Sequence, residues 1–367
     1  MTTQSTHETS NEAASVALAE IPPVGPSGTS LLGTTLGWLS PKRVSALYVL
    51  ALIIVVFSIW APNTFPRTAT IQQVLNGNAV IGMAALSIIV PLSARVFDLS
   101  FAYTMSLTGV TAAHFVAARD WPLTAAVLAA LCVALVVGLI NAVVVVVLRV
   151  DSLIGTLATG SIIQAFITFV TNEIPITDAK LFGGFSDLGQ KQVLGLVLPV
   201  WYMLILAVVL WFALERTALG RRIYATGFNT EAARLTNIKT RRIQFCSLLV
   251  SALIAGWAGI SLAAVLGSGS PTAGTPYLLP AFAAAFLGAT QITPGRFNAR
   301  GALLGVITLG AGTTGLSLAT APAWSSNVFT GVVLITSLAV TTVQRKPRLQ
   351  TSRWRARLGR EREGRAR

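Results

Sequence analysis

Charge is scarce in this chain. Only 11% of its 367 residues are Asp, Glu, Lys or Arg, against about a quarter in soluble domains. From Leu123 to Leu148 there are 26 residues without one. A helix that crosses a bilayer needs roughly 20 apolar residues, so this run is long enough, and comparable runs follow it. An ordinary soluble core has no use for such runs in series. Cysteine and histidine are nearly absent as well. Cys132, Cys246, His7 and His114 are too few and too scattered for a disulfide framework or a metal site. The phosphate-cradling pattern G-x-x-x-x-G-K followed by Ser or Thr does not occur. No nucleophile stands beside a base. Neither a catalytic centre nor a cofactor is therefore expected.

The apolar runs describe an all-α polytopic membrane protein with about ten transmembrane helices, some broken or short. They fall at roughly 44–61, 71–91, 99–118, 122–148, 152–171, 193–214, 244–266, 278–291, 300–320 and 325–343. Residues 1–41 are polar and rich in Ser, Thr and Pro, the composition of a disordered segment. Residues 42–344 form the transmembrane domain, and 345–367 a basic tail with ten Lys/Arg and two Glu. Much of the net charge of +14 sits in that tail. No groove-reading motif accompanies it, so no nucleic-acid partner is expected. Membrane lipids suit it better.

A polar island interrupts the apolar sequence. Glu215 to Arg242 carries seven Lys/Arg and two Glu. Within it, Thr230 to Leu235 has the composition of a short helix, with Asn229 or Thr230 as N-cap and Glu231 at the positive end of the helix dipole. Asp98 is the other polar anomaly. It follows Pro91, which breaks or kinks a helix. One reading makes Asp98 part of a polar substrate path. The other makes it a cap on the next helix, paired to Arg95. Asn76, Asn78, Asn141, Ser161 and Gln164 lie in apolar runs, as path-lining groups or as interhelical hydrogen-bond partners. Ser100 adjoins Asp98. The loop 172–192 reads equally as a small packed cap or a solvated connector. Ala84-Ala85 and Phe97 recur 200 residues later as Ala284-Ala285 and Phe297, a faint internal echo.

Three ordered stretches carry a family resemblance. The first is Phe97-Asp98-Leu99-Ser100 with Leu107-Thr108-Gly109. The second is Leu219-Gly220-Arg221, Ile223-Tyr224-Ala225, Gly227, Asn229 and Glu231-Ala232-Ala233-Arg234-Leu235. The third is Pro271-Thr272-Ala273-Gly274 with Tyr277, Ala283-Ala284 and Leu287-Gly288. Together they resemble the ribose-type sugar permeases of bacterial ABC importers, from about residue 44 to 345. Asn237 stands where that family has Gly. The resemblance implies a multi-pass permease of the bacterial inner membrane that moves a sugar or sugar-like solute. It implies an ABC ATPase as partner, an extracytoplasmic solute-binding protein and a second permease subunit. It places ATPase coupling on Gly220, Arg221, Asn229, Glu231, Ala232, Ala233, Arg234 and Leu235. Asn76, Asn78, Asp98, Ser100 and Gln164 are the substrate-path candidates. Branched-chain amino acids or nucleosides are alternative cargoes. An ion-coupled secondary transporter would need intramembrane carboxylates, and beyond Asp98 there are almost none.

Lys and Arg residues fix the expected orientation. With both termini inside, 23 of the 27 Lys/Arg fall on the cytoplasmic side and four outside, as the positive-inside rule requires. A reporter active only outside the cell, fused after Lys346, is expected to be silent. Activity there would overturn this orientation.

Overall fold

A computed structural model of the chain describes residues 45–345, apart from Gln291 and Pro294. The N-terminal segment 1–41, Lys42, Arg43 and the tail beyond Arg345 lie outside the described residues.

Each of the ten apolar runs contains a helix: α1 Ser45–Trp60, α2 Thr68–Ser93, α3 Phe101–Arg119, α4 Leu123–Ala142, α5 Ser152–Thr171, α7 Leu198–Trp211, α10 Thr240–Leu266, α11 Leu278–Ala289, α12 Ala299–Leu318 and α13 Trp324–Arg345. Between them lie three shorter helices: α6 Gly184–Gln190, α8 Ala218–Phe228 and α9 Thr230–Leu235. The only strands among the described residues are β1 Gln192–Val193 and β2 Leu196–Val197, paired as a small hairpin. Seven helices are long and apolar enough to cross a membrane. The apolar α1 and α11 are shorter, and α3 is threaded with Ser, Thr, Tyr and His.

Local chemistry sets several ends. Five consecutive valines, Val143–Val147, close α4 as a π-turn, where branched side chains crowd the preceding turn. A second π-turn, Phe212–Arg216, closes α7. Pro91 does not end α2. The helix runs on to Ser93, and Arg95 then takes a left-handed φ of 61°. The Val96 amide donates back to the Pro91 carbonyl at 2.9 Å, so the end is a left-handed C-cap.

Helices α2 and α10 form the interior. α10 packs on α2, α3, α4 and α6, and α2 also meets α7, α11 and α12. Nearly every residue of α2 from Asn78 to Ser93 is buried. By contrast α4, α5, α7 and α13 present large apolar side chains outward, including Phe169 at 81% and Ile335 at 69% exposure. Apolar surface on that scale marks a face for lipid or a partner rather than water. Loop 172–192 is a packed cap. Leu181 and Phe185 are buried against α3 and α10, Ile176 bridges Gly269, and Gln190 Nε2 donates to the Val265 carbonyl at 3.0 Å. Lys180 pairs with Asp120 at 2.7 Å, and that contact pushes its ammonium pKa up.

At the α3–α10 seam the two backbones approach closely. Thr108 Oγ1 donates to the Gly256 carbonyl at 3.1 Å. A Cβ on Gly259 would run into the Met105 carbonyl and the Thr108 hydroxyl. Gly259→Val is therefore expected to lower stability by about 1–3 kcal/mol, the cost of overpacking. Thermal unfolding of purified protein in detergent checks this.

Candidate functional site

Two polar constellations stand out, one at the break between α2 and α3 and one at the α8–α9 segment. In the break the chain leaves helical geometry while most of it stays buried or half-buried. Asp98 is 0% exposed. Its Oδ1 accepts from the Ser100 amide at 3.0 Å and the Ser100 hydroxyl at 2.7 Å. Its Oδ2 accepts from the Ser251 hydroxyl of α10 at 2.7 Å. Asn141 of α4 donates to the Ser100 hydroxyl at 2.6 Å. Two further amides of the break are met by α5: Phe97 donates to Ser152 Oγ at 3.1 Å and Leu99 to Thr156 Oγ1 at 3.0 Å. The break is thus tied to α4, α5 and α10 at once. Arg95 is exposed and forms no ion pair with Asp98. Burial separates the two groups, and hydroxyls rather than a cation satisfy the carboxylate.

The path candidates do not gather in one place. Asp98 and Ser100 share the network just described. Asn78 is buried on α2, donates to the Val74 carbonyl at 2.8 Å, and fills the space beside Gly310 of α12. Asn76 accepts from the Val197 amide at 3.1 Å, which anchors the β1–β2 hairpin. Gln164 on α5 donates to the Pro271 carbonyl at 3.4 Å, while its Oε1 is buried without a partner. The Pro271–Gly274 turn is held against α3 by the Gly274 amide donating to Ser106 Oγ at 2.9 Å. Sequence reasoning passed over Ser152, Thr156 and Ser251. The first two had a readable signal, since hydroxyls four apart share one helix face. Ser251 had none, because its partner lies 153 residues away.

The second constellation is the polar island. Asn229 caps α9, its Oδ1 accepting from the Ala232 amide at 3.0 Å. Glu231 sits in the first turn and pairs with Arg234 at 3.2 Å across an exposed face. Ala233 is buried, Glu231, Ala232 and Arg234 are exposed, and Leu235 is 84% exposed. Asn237 takes φ 63°, the left-handed turn that Gly would otherwise supply. Gly220 lies directly on the Leu214 carbonyl, where a Cβ would clash, and Arg221 beside it is exposed.

Helix α8 fastens this segment to the helices behind it. Gly227 sits on the Ser93 carbonyl at the end of α2 with no room for a Cβ. The Tyr224 hydroxyl donates to the Phe297 carbonyl at 2.7 Å, and Ser93 Oγ donates to the same oxygen at 3.3 Å. The Arg296 guanidinium lies 3.8 Å from the centre of the Tyr224 ring, a cation–π contact. Burial pushes the Tyr224 phenol pKa up, with the nearby Arg296 charge pulling the other way. Glu215 accepts from Trp211 Nε1 at 3.0 Å and forms an ion pair with Arg300 of α12. Through these contacts α8 meets both the end of α2 and the turn between α11 and α12.

The chain is similar in sequence to known proteins. Residues 70–338 match the family model described as branched-chain amino acid transport system / permease component. The ribose import permease protein RbsC of Escherichia coli (strain K12) is 32% identical over 311 residues, 83% of this chain and 95% of the relative. The L-arabinose ABC transporter permease protein AraH of Azospirillum brasilense is 28% identical over 313 residues, 85% of this chain and 91% of the relative. The fructose import permease protein FrcC of Rhizobium meliloti is 30% identical over 309 residues, 82% of this chain and 85% of the relative. No solved structure matches.

Removing the carboxylate of Asp98 leaves Ser251 and Ser100 without their buried acceptor. Asp98→Ala is expected to cost about 2–3 kcal/mol. Unfolding in detergent measures it, and an unchanged midpoint would refute the anchoring role.

Proposed function

The chain belongs to the branched-chain amino acid transport system / permease component family, and within that family we propose that it serves an importer of sugars. It is the membrane-spanning permease subunit of an ABC importer that carries a sugar or sugar-like solute across the bacterial inner membrane. The observation that carries this reading is the agreement of relatives named for ribose, arabinose and fructose import over most of the chain's length. A separate ATPase subunit supplies the energy, an extracytoplasmic binding protein delivers the cargo, and a second permease subunit completes the path. The described helices cross the membrane ten times with both termini inside, a reading supported by the distribution of Lys and Arg.

The α8–α9 segment is the coupling element. Gly220, Arg221, Asn229, Glu231, Ala232, Ala233, Arg234 and Leu235 form or support it. A short capped helix with an exposed leucine at its end suits a groove on a partner. The contacts of Gly227 with the Ser93 carbonyl and of Tyr224 with the Phe297 carbonyl suit it to pass movement to α2 and α12. Asp98 and Ser100 act on the path through the posture of the break rather than by touching cargo. Asn76, Asn78 and Gln164 remain the candidates for direct contact.

A second cargo reading follows from the family description, which names branched-chain amino acids. Uptake of labelled ribose, arabinose and fructose against leucine, in cells with and without this chain, separates the two. Sugar uptake that depends on the chain is expected. Dependence of leucine alone would overturn the assignment. For coupling, Ala232→Trp and Leu235→Asp are each expected to weaken association with the ATPase roughly tenfold, the scale of a central interface contact, and to abolish uptake without lowering thermal stability. Normal uptake in both variants would remove α9 from the coupling role.

A further inference from the structure

Three adjoining cavities surround the N-terminal end of α10. The largest is about 730 Å³ and reaches from Lys239, Arg222 and Arg242 to the apolar side chains of Val90 and Val250. A second, of about 660 Å³, shares Lys239 and Arg242 and adds Arg241. A third, of about 330 Å³, runs from Arg241 and Arg242 to Val146, Val147 and Phe245 on the α4 side. Arg242 borders all three.

The charges here are unbalanced. Among the described residues, Arg222, Lys239, Arg241 and Arg242 have no ion-pair partner, and all four are exposed. The one acidic residue that borders these cavities, Glu231, is engaged by Arg234. The surface beside the cations is apolar. Arg242, Cys246 and Val250 are exposed and recur every four residues along α10, so they form one stripe, charged at one end and greasy beyond. From Arg242 to Val250 the stripe rises about 12 Å, close to the roughly 15 Å hydrocarbon depth of one leaflet. Val147, 61% exposed, flanks the same groove. A soluble anion would use the cations and leave the stripe uncovered. An apolar segment would cover the stripe and leave the cations unpaired.

We infer that this groove holds an anionic phospholipid, its phosphate among Arg222, Lys239 and Arg242 and one acyl chain along Cys246 and Val250. The site is independent of which solute the protein carries. Its neighbours Thr236, Asn237 and Ile238 directly follow α9, so lipid occupancy stiffens the hinge between α9 and α10.

Native mass spectrometry of the full chain in detergent tests this, with phosphatidylglycerol offered against phosphatidylcholine. The wild-type protein is expected to retain phosphatidylglycerol preferentially. Arg242→Gln is expected to reduce that preference about fivefold, the worth of one cation beside an anionic surface. Arg222→Gln, Lys239→Gln and Arg242→Gln together are expected to abolish it, with the unfolding midpoint unchanged. If the triple variant does not fold, Arg242→Gln and Lys239→Gln alone decide the matter. An unchanged preference in the variants overturns the site. So does equal binding of glycerol phosphate, which lacks acyl chains and would mark a free-phosphate site. Lost ATPase association in lipid-free detergent, with phosphatidylglycerol retention intact, would make the groove a protein-docking surface instead.

Discussion

A chain that leaves helical geometry where it is buried must bring its own hydrogen-bond partners, because unpaired buried backbone groups are costly. The break between α2 and α3 obeys that constraint, and much of the molecule is arranged around it. Ser152 and Thr156 lend α5 to the break, Ser251 lends α10, and Asn141 lends α4. Three helices therefore meet two backbone amides, one hydroxyl and one carboxylate of the break. Helix α5, which turns large apolar side chains outward, is held by its two hydrogen bonds to the break and by Ile163 and Ile167 packed against α3 and α4.

The faint echo between the two halves gains a physical meaning. Phe97-Asp98 precedes α3, and Phe297-Asn298 precedes α12. In each, a short polar side chain accepts from a backbone amide two or three residues on: Asp98 from Ser100 at 3.0 Å, Asn298 from Gly301 at 2.7 Å. Both places also touch α8, since Gly227 sits on the Ser93 carbonyl at the end of α2 and Tyr224 donates to the Phe297 carbonyl. The segment that bears α9 is therefore attached at both halves of the pattern.

Much of this was legible in the sequence, for local reasons. Long charge-free runs have one solution in lipid, and each contains a helix. Asn229 as a cap and Asn237 as a left-handed turn follow from side-chain chemistry within a few residues. Family motifs pointed at the same segment, and known relatives support the cargo class. Long-range pairings were not legible. Nothing near Asp98 announces Ser251, and nothing near Tyr224 announces Phe297. Pro91 lies inside α2, which ends two residues later where Arg95 turns left-handed. Loop 172–192 offered no periodic pattern, yet Leu181 and Phe185 bury it.

The α3–α10 seam has a mechanical corollary. Where Gly259 meets the Met105 backbone and Thr108 bonds the Gly256 carbonyl, side-chain repacking cannot absorb a displacement. Sliding of one helix along the other, the shear mode of conformational change, needs such slack. A slide of either helix would drive the Gly259 backbone into the Met105 carbonyl, so the pair is built as one plate. Any opening and closing must be articulated at its margins, where the chain is irregular: the break before α3, the π-turns after α4 and α7, and the turn ahead of α12.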